Sequence, residues 1–272
     1  MKLRFLGTAA AEGIPALWCD CPVCKKAFED PANELRRRCS YLIDNDTIVD
    51  FGPDSFWQSI QFGIDLTRIE RVIVTHAHED HIQPDDLCYR AAGFSHVDRN
   101  IELIASDKSM ELIRSQCTYS FKKIFITPRI AEPGKWLQTQ DMELLPIPAD
   151  HAPGLAPMIY VIRRNGKSLL IANDTGILQE SSWQLLEGIK LDTAVLECTC
   201  VFAYPDMTGN HLGVNTTIQF RDKLLEMNCI TRETPVFVNH FSHNGKANHA
   251  ELADFFSKHN MTVARDGLQT EI

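Results

Sequence analysis

The sequence predicts an α/β fold, and three features of the chain predict it. Short β-rich runs alternate with helical patterns from end to end. No linker, internal repeat or low-complexity segment interrupts them, so residues 1–272 read as one domain. Strand after strand ends in a metal-type side chain: His76 after "VIVT", His151 after "PIPAD", Asp174 after "IAN" and His240 after "VFVN".

Taken in order, "KLRFLGT", "SYLID" and "DTIVDFG" read as opening strands, each β-branched or aromatic and bounded by turn residues. "ERVIVTH" is a buried strand, followed by "IELIA", the helical pattern "DKSMELIRSQ" and the strand "MELLPIPADH". "MIYVIRRNGKSLLIANDTG" is a hairpin, because Asn165-Gly166 is the favoured two-residue turn. "DTAVLECT" and "PVFVNHF" are late strands separated by a helix near residues 215–227. Asn248 and Glu251 have capping-box spacing and open a last helix, and "MTVARDGLQTEI" closes the chain as a strand.

Composition narrows the function classes. Net charge is −9, which argues against a nucleic-acid polymer as the main partner. No apolar window reaches the length of a membrane span, and "MKLRFLGTAAAEG" lacks the apolar core of a signal peptide, so the expected compartment is the cytoplasm. Nine cysteines in such a chain read as metal ligands or small buried apolar residues, not disulfides.

The densest chemistry lies in "VIVTHAHEDH", residues 72–81. In extended chain His76 and His78 point the same way and reach one ion. A turn at Asp80 lets Asp80 and His81 diverge toward a second. His151, Asp174 and His240 would complete two three-ligand sets, with the Asp174 carboxylate placed to bridge. Imidazole with carboxylate suits Zn, Mn or Fe. A single histidine at a strand end is usually a hydrogen-bonded structural residue, but a cluster this tight is not.

A second constellation is "WCDCPVCKK", with Cys19, Cys21 and Cys24 in a C-x-C-x-x-C run. Thiolates this close favour tetrahedral zinc and need a fourth ligand, for which Cys39, Cys198, Cys200 and a histidine are candidates. "NHFSHNG" suggests His243, just off the strand that carries His240. Four protein ligands leave no site for water, so this zinc would be a structural clamp. Arg36, Arg37 and Arg38 read as a solvated loop.

"THAHEDH", with "VDFG" upstream at Val49–Gly52 and His151, Asp174 and His240 downstream, resembles the metallo-β-lactamase superfamily. The resemblance implies a four-layer αββα sandwich of two mixed sheets with a dinuclear site on one edge. "GTAAAEGIPALWCDCPVCKKA", "RRRCS" and "NHFSH" further resemble the phosphoribosyl 1,2-cyclic phosphate phosphodiesterases (PhnP-type) of phosphonate breakdown. By position this implies a structural zinc on Cys19, Cys21, Cys24 and His243, within an N-terminal zinc-binding loop at about residues 15–39. It implies a dinuclear site on His76, His78, Asp80, His81, His151, Asp174 and His240, loaded with Mn, Zn or Fe. His211, in "TGNHLGVNT", matches a histidine near the substrate phosphate, so Asp80 and His211 are the expected catalytic residues.

The function expected is hydrolysis of a small cyclic phosphate, 5-phosphoribosyl 1,2-cyclic phosphate-like, by a metal-bridging hydroxide. The expected partner is that small phosphorylated substrate, without membrane or nucleic acid; a homodimer is compatible. Rivals on the same motif are a tRNA 3′-processing-type ribonuclease, a thioester or lactone hydrolase, and a non-catalytic carrier similar to the pyrroloquinoline quinone biosynthesis protein. That relative has a degraded H-x-H-x-D-H, whereas here all its residues are present. "SFKKIFITPRIAEPGKW" and "CTCVFAYPDMTG" match no motif and are expected to wall the substrate pocket.

Overall fold

The computed structural model describes all residues, Met1–Ile272. Its first half contains β1 (Lys2–Gly7), α1 (Pro22–Glu29), α2 (Pro31–Glu34), β2 (Ser40–Ile43), β3 (Thr47–Val49) and α3 (Ser55–Phe62). There follow β4 (Arg71–Ile73), α4 (Pro84–Cys88), β5 (Ile101–Ala105), α5 (Asp107–Gln116) and β6 (Ile126–Ile130). The second half opens with β7 (Leu137–Gln138), β8 (Glu143–Pro148), β9 (Met158–Arg164), β10 (Lys167–Ala172), α6 (Glu180–Gln184) and β11 (Thr193–Glu197). It ends with α7 (Val214–Glu226), β12 (Val236–Asn239), α8 (His249–Ser257), β13 (Thr262–Val263) and β14 (Gln269–Glu271).

The strands form two seven-stranded mixed sheets, ordered β14-β1-β2-β3-β4-β5-β6 and β13-β12-β11-β10-β9-β8-β7. Side chains alternate across each strand, which gives each sheet two apolar faces. Phe5, Tyr41, Ile43, Ile73 and Ile104 meet Tyr160, Ile162, Leu169, Ile171 and Phe237 in the layer between the sheets. Leu6, Leu42, Val72 and Leu103 point the other way, onto Leu87, Met110 and Ile113 of α4 and α5. Val161, Leu170, Ala194 and Val238 face outward under Trp183, Phe220, Leu252 and Phe256 of α6, α7 and α8. Burying both faces of both sheets produces four layers. Each large side chain so buried contributes roughly 1.5–3 kcal/mol.

Strand direction decides where the polar ends go. β10, β11 and β12 are parallel, and β8 shares their direction because both are antiparallel to β9. β3 and β4 are likewise parallel in the first sheet. Their C-terminal ends lie on one edge of the sandwich, so Asp50, His76, His151, Asp174, Glu197 and His240 leave their strands together.

The Asn165-Gly166 hairpin joins β9 to β10 as the sequence predicts, and α8 carries the Asn248–Glu251 capping box. Two expectations are corrected. "MTVARDGLQTEI" is two strands: β13 extends the second sheet, then Gly267 with φ 85 turns the chain so that β14 pairs with β1 of the first. Arg36 is not solvated. It is buried at 3% exposure, its side chain donating to Thr8 Oγ1 and Ala264 O and its own backbone N–H and C=O pairing with Ile14.

Gly52, just past β3, has no space for a side chain. A Cβ there would sit 2.1 Å from Asp80 O, so only glycine lets the two segments touch. Gly52→Ala is expected to destabilise by roughly 1–3 kcal/mol, lowering Tm by several degrees in thermal unfolding.

Candidate metal centre

Three clusters of donor atoms occupy this edge of the sandwich and its margin. His76 Nε2 and His78 Nδ1 face each other at 2.7 Å, and His151 Nε2 lies 3.3 Å from the same His78 nitrogen. Their rings meet edge to face, with nitrogens converging on one point. Beside them, Asp80, His81, Asp174 and His240 form a fully buried set. Asp174 Oδ1 is 3.0 Å from His240 Nε2, and Oδ2 is 2.6 Å from His81 Nε2 and 3.5 Å from His76 Nε2. One carboxylate therefore touches both sets.

The contacts around Asp174 do not satisfy hydrogen-bond geometry. His81 Nε2, His240 Nε2 and Asp174 Oδ1 are buried and lack any hydrogen-bond partner. Leaving such groups unmatched costs roughly 1–3 kcal/mol each, so the arrangement fits divalent ions between them. The protonation states agree. Burial and the neighbouring imidazoles hold His76 well below its usual range. Burial would raise Asp174, but His240 and His81 outweigh it and keep the carboxylate ionised. Burial pulls His81 down, and Asp80, Asp174 and Asp50 more than reverse it, so this ring takes the proton that a dication would displace.

Outer partners fix three of the rings. Asp50 Oδ2 accepts from His81 Nδ1 at 2.7 Å and from the Thr75 hydroxyl, while its Oδ1 accepts the Thr75 N–H. Thr199 Oγ1 lies 2.8 Å from His240 Nδ1, and His151 Nδ1 reaches Asn210 O at 3.1 Å. Such partners set the tautomer and aim the free nitrogen.

His211 sits at the margin, 3.6 Å from Asp174 Oδ1, with its Nδ1 2.8 Å from Glu197 Oε1. Glu197 has no exposed surface and also accepts the N–H groups of Thr175, Thr199 and Leu212. Burial lowers the His211 imidazole, but the Glu197 hydrogen bond and charge lift it to about 9. Sequence reading missed Glu197, although an acidic residue ending an apolar strand in "AVLECT" was the available signal. Asp50 lay inside the quoted "VDFG" without a role.

The cysteines converge as well. Cys19 and Cys21 Sγ lie 3.4 and 3.5 Å from His243 Nδ1, and Cys24 Sγ accepts from Ala16 N–H at 3.3 Å. All four donors fall within 4.8 Å of one another. Residues 15–39 are only partly a loop, because Pro22 starts α1 directly after Cys21 and buries Cys24 on that helix. Burial raises the Cys21 and Cys24 thiols, but bonds from His243 and Cys24 bring Cys21 down to about 6, while Cys24 is pushed up to about 12. Cys39, Cys198 and Cys200 lie outside this set. Glu12 completes it from behind: Oε1 is 3.5 Å from His243 Nε2 and accepts from Ser242 Oγ and Asn244.

If this cluster of three sulfurs and one imidazole holds zinc, Cys21→Ser should release one ion per chain, lower Tm and leave the histidine-rich edge loaded. Glu12→Gln should weaken zinc retention roughly 10–100-fold in chelator competition. Wild-type melting with an undiminished sulfur–cobalt charge-transfer band in the Cys21 variant would show that these cysteines hold no metal.

Comparison with known proteins agrees with this architecture. A curated octanoyltransferase of Porphyromonas gingivalis (strain ATCC BAA-308 / W83) is 30% identical over 131 residues, which are 45% of this chain and 24% of that protein. The match thus spans under a quarter of that relative's length. A diphosphatase from the PhnP family superposes with TM-score 0.76 at 23% identity, over 100% of this chain and 96% of its own. Zn(2+)-bound PqqB from Methylobacterium extorquens gives 0.74 at 16%, and human tRNase Z, short form, 0.65 at 16%, each over 100% of this chain. They cover 100% and 99% of those chains, and at such identities they show a shared fold. The beta-lactamase superfamily domain model matches residues 45–229, more than half of the sequence. With this match and a PhnP-like fold, the chain belongs to the metallo-β-lactamase superfamily.

Proposed function

We propose that this hydrolase is a phosphodiesterase that opens a small cyclic phosphate. In this reading His76, His78 and His151 would hold one divalent ion and Asp80, His81 and His240 a second, with the Asp174 carboxylate, which faces both sets, shared between them. Two such ions, when bound, lower the pKa of water and polarise phosphoryl oxygens.

The observation that carries the reading is the buried Glu197–His211 pair beside both sets. Glu197 engages Nδ1, which leaves Nε2 free and keeps the ring cationic. A fixed cation 3.6 Å from the bridging carboxylate suits charge growing on phosphate oxygens, or a proton for the departing alkoxide. Asp80, ionised and buried, orients the second set. Likeness in fold to the PhnP-family diphosphatase supports phosphorus as the reacting centre. The sequence similarity to part of an octanoyltransferase makes an acyl ester or thioester the second reading. A cytoplasmic location and action without nucleic acid or membrane belong to the same proposal; no helix is long and apolar enough to cross a membrane.

The test is one screen of metal-loaded protein against cyclic phosphates, bis-p-nitrophenyl phosphate, thioesters, lactones and RNA. Phosphodiesters should be cleaved fastest, and best turnover of a thioester or lactone would move the protein to the second reading. Asp174→Ala should abolish turnover and release at least one ion. His211→Ala should cut kcat about 10²–10³-fold with metal content unchanged; if the ions leave with it, His211 is a ligand.

A further inference from the structure

Directly beneath the metal set lies a closed ring of buried polar side chains. Tyr41, on β2 of the first sheet, crosses the inner layer and donates its hydroxyl proton to Asn173 Oδ1 at 2.6 Å. The same oxygen accepts from Asn239 Nδ2 at 2.8 Å and from the Cys39 thiol at 3.3 Å. Cys39 Sγ accepts in turn from Asn173 Nδ2 and Asn239 Nδ2, both at 3.1 Å. None of the four is more than 1% exposed. The Tyr41 hydroxyl thus uses its donor and both acceptor sites, and each asparagine is gripped once by oxygen and once by sulfur. Asn239 Oδ1 has no partner, so nothing else holds that amide.

The asparagines occupy a particular place. Asn173 immediately precedes Asp174, and Asn239 immediately precedes His240. Asp174 and His240 are both left-handed, with φ of 44° and 60°, a region uncommon for residues other than glycine, though Asp and His enter it more readily than most. Their strands, β10 and β12, are not neighbours, since β11 lies between them. β11 pairs with both and sets their spacing, and a second tie crosses β11 from the inner layer. Tyr41 and Cys39, reaching over from the opposite sheet, span it.

We infer that Tyr41 and Cys39 are positioning residues for the metal pair, locking the backbone turns that present Asp174 and His240 to one ion. The inference rests on the two-ion reading but not on any choice of substrate. Tyr160 supplies an internal control. It is equally buried in the other sheet, and its hydroxyl donates to Val74 O at 3.1 Å, clear of the asparagines.

The experiment is stepwise titration of metal-depleted protein with Zn2+ or Co2+ by calorimetry, with Tm recorded for each variant. Tyr41→Phe keeps the ring against Phe5, 5.4 Å away, and removes only the hydroxyl. It should weaken the ion held by Asp174 and His240 roughly 10–100-fold and the other edge ion less, leaving a metal at the cysteines unchanged. Cys39→Ala should do the same, and Cys39→Ser should restore most of the affinity. Tyr160→Phe should lower Tm without moving either affinity. Wild-type affinities in Tyr41→Phe and Cys39→Ala, or an equal loss in Tyr160→Phe, would reduce the ring to ordinary core hydrogen bonds. A wild-type protein that takes only one ion at this edge would instead overturn the two-ion reading, and the inference with it.

Discussion

Asp174 is the constraint on which the rest of the structure turns. It is a carboxylate at 2% exposure facing the Nε2 atoms of three histidines, two of them with no hydrogen-bond partner. Burying such a group is tolerable only where something nearby carries positive charge. Without metal, His81 supplies it by holding a proton between Asp50, Asp80 and Asp174. A dication supplies it more completely and also uses the orphaned nitrogens. Stability of this edge and its chemistry are thus one problem, which bound dications would solve together.

Backbone geometry follows from that demand. Asp50, Asp174 and His240, the residues that leave β3, β10 and β12 toward the site, all have positive φ between 44° and 62°. Each such residue costs of order 1–3 kcal/mol, and the strain persists only where packing over-determines it. Here the strands behind them are clamped in a four-layer core whose side chains are almost wholly buried. The sharp exits point side chains out of the sheet and into the cleft. A regular strand would have carried them past it.

Much of this was legible in the chain because short-range pattern encodes it. Alternation marked the strands, Asn165-Gly166 marked the hairpin, and residues 76–81 carried four donors within six positions. What stayed hidden depends on contacts distant in sequence. Glu197 and His211 are only 14 positions apart, yet a hydrogen bond between them follows from where α7 begins, not from spacing. Tyr41 looked like any strand aromatic, and only the opposing sheet reveals that its hydroxyl meets Asn173 and Asn239. Arg36 was misread for a related reason. Three consecutive arginines suggest solvent, but pairing of the chain with Ile14 turns the first inward, over the Phe241 ring at 4.7 Å, while Arg37 and Arg38 pair with Asp266 and Asp54.

That buried arginine also explains how the cysteine cluster can matter to the edge it does not join. His240 and His243 bracket Phe241 and Ser242, and this short span is held from both sides. Phe241 N–H donates to Thr8 O and Ala10 N–H to Phe241 O, while Ser242 bonds Glu12. Arg36 covers the Phe241 ring and donates to Thr8 Oγ1, so the segment before the cysteines is stitched to the segment after β12. A metal at Cys19, Cys21, Cys24 and His243 would close that stitch at its outer end, across more than 200 residues of chain. Its ordering effect reaches His240 through three peptide units of fixed backbone, a distance over which little angular freedom survives. The N-terminal cluster is therefore the far anchor of the last donor in the site.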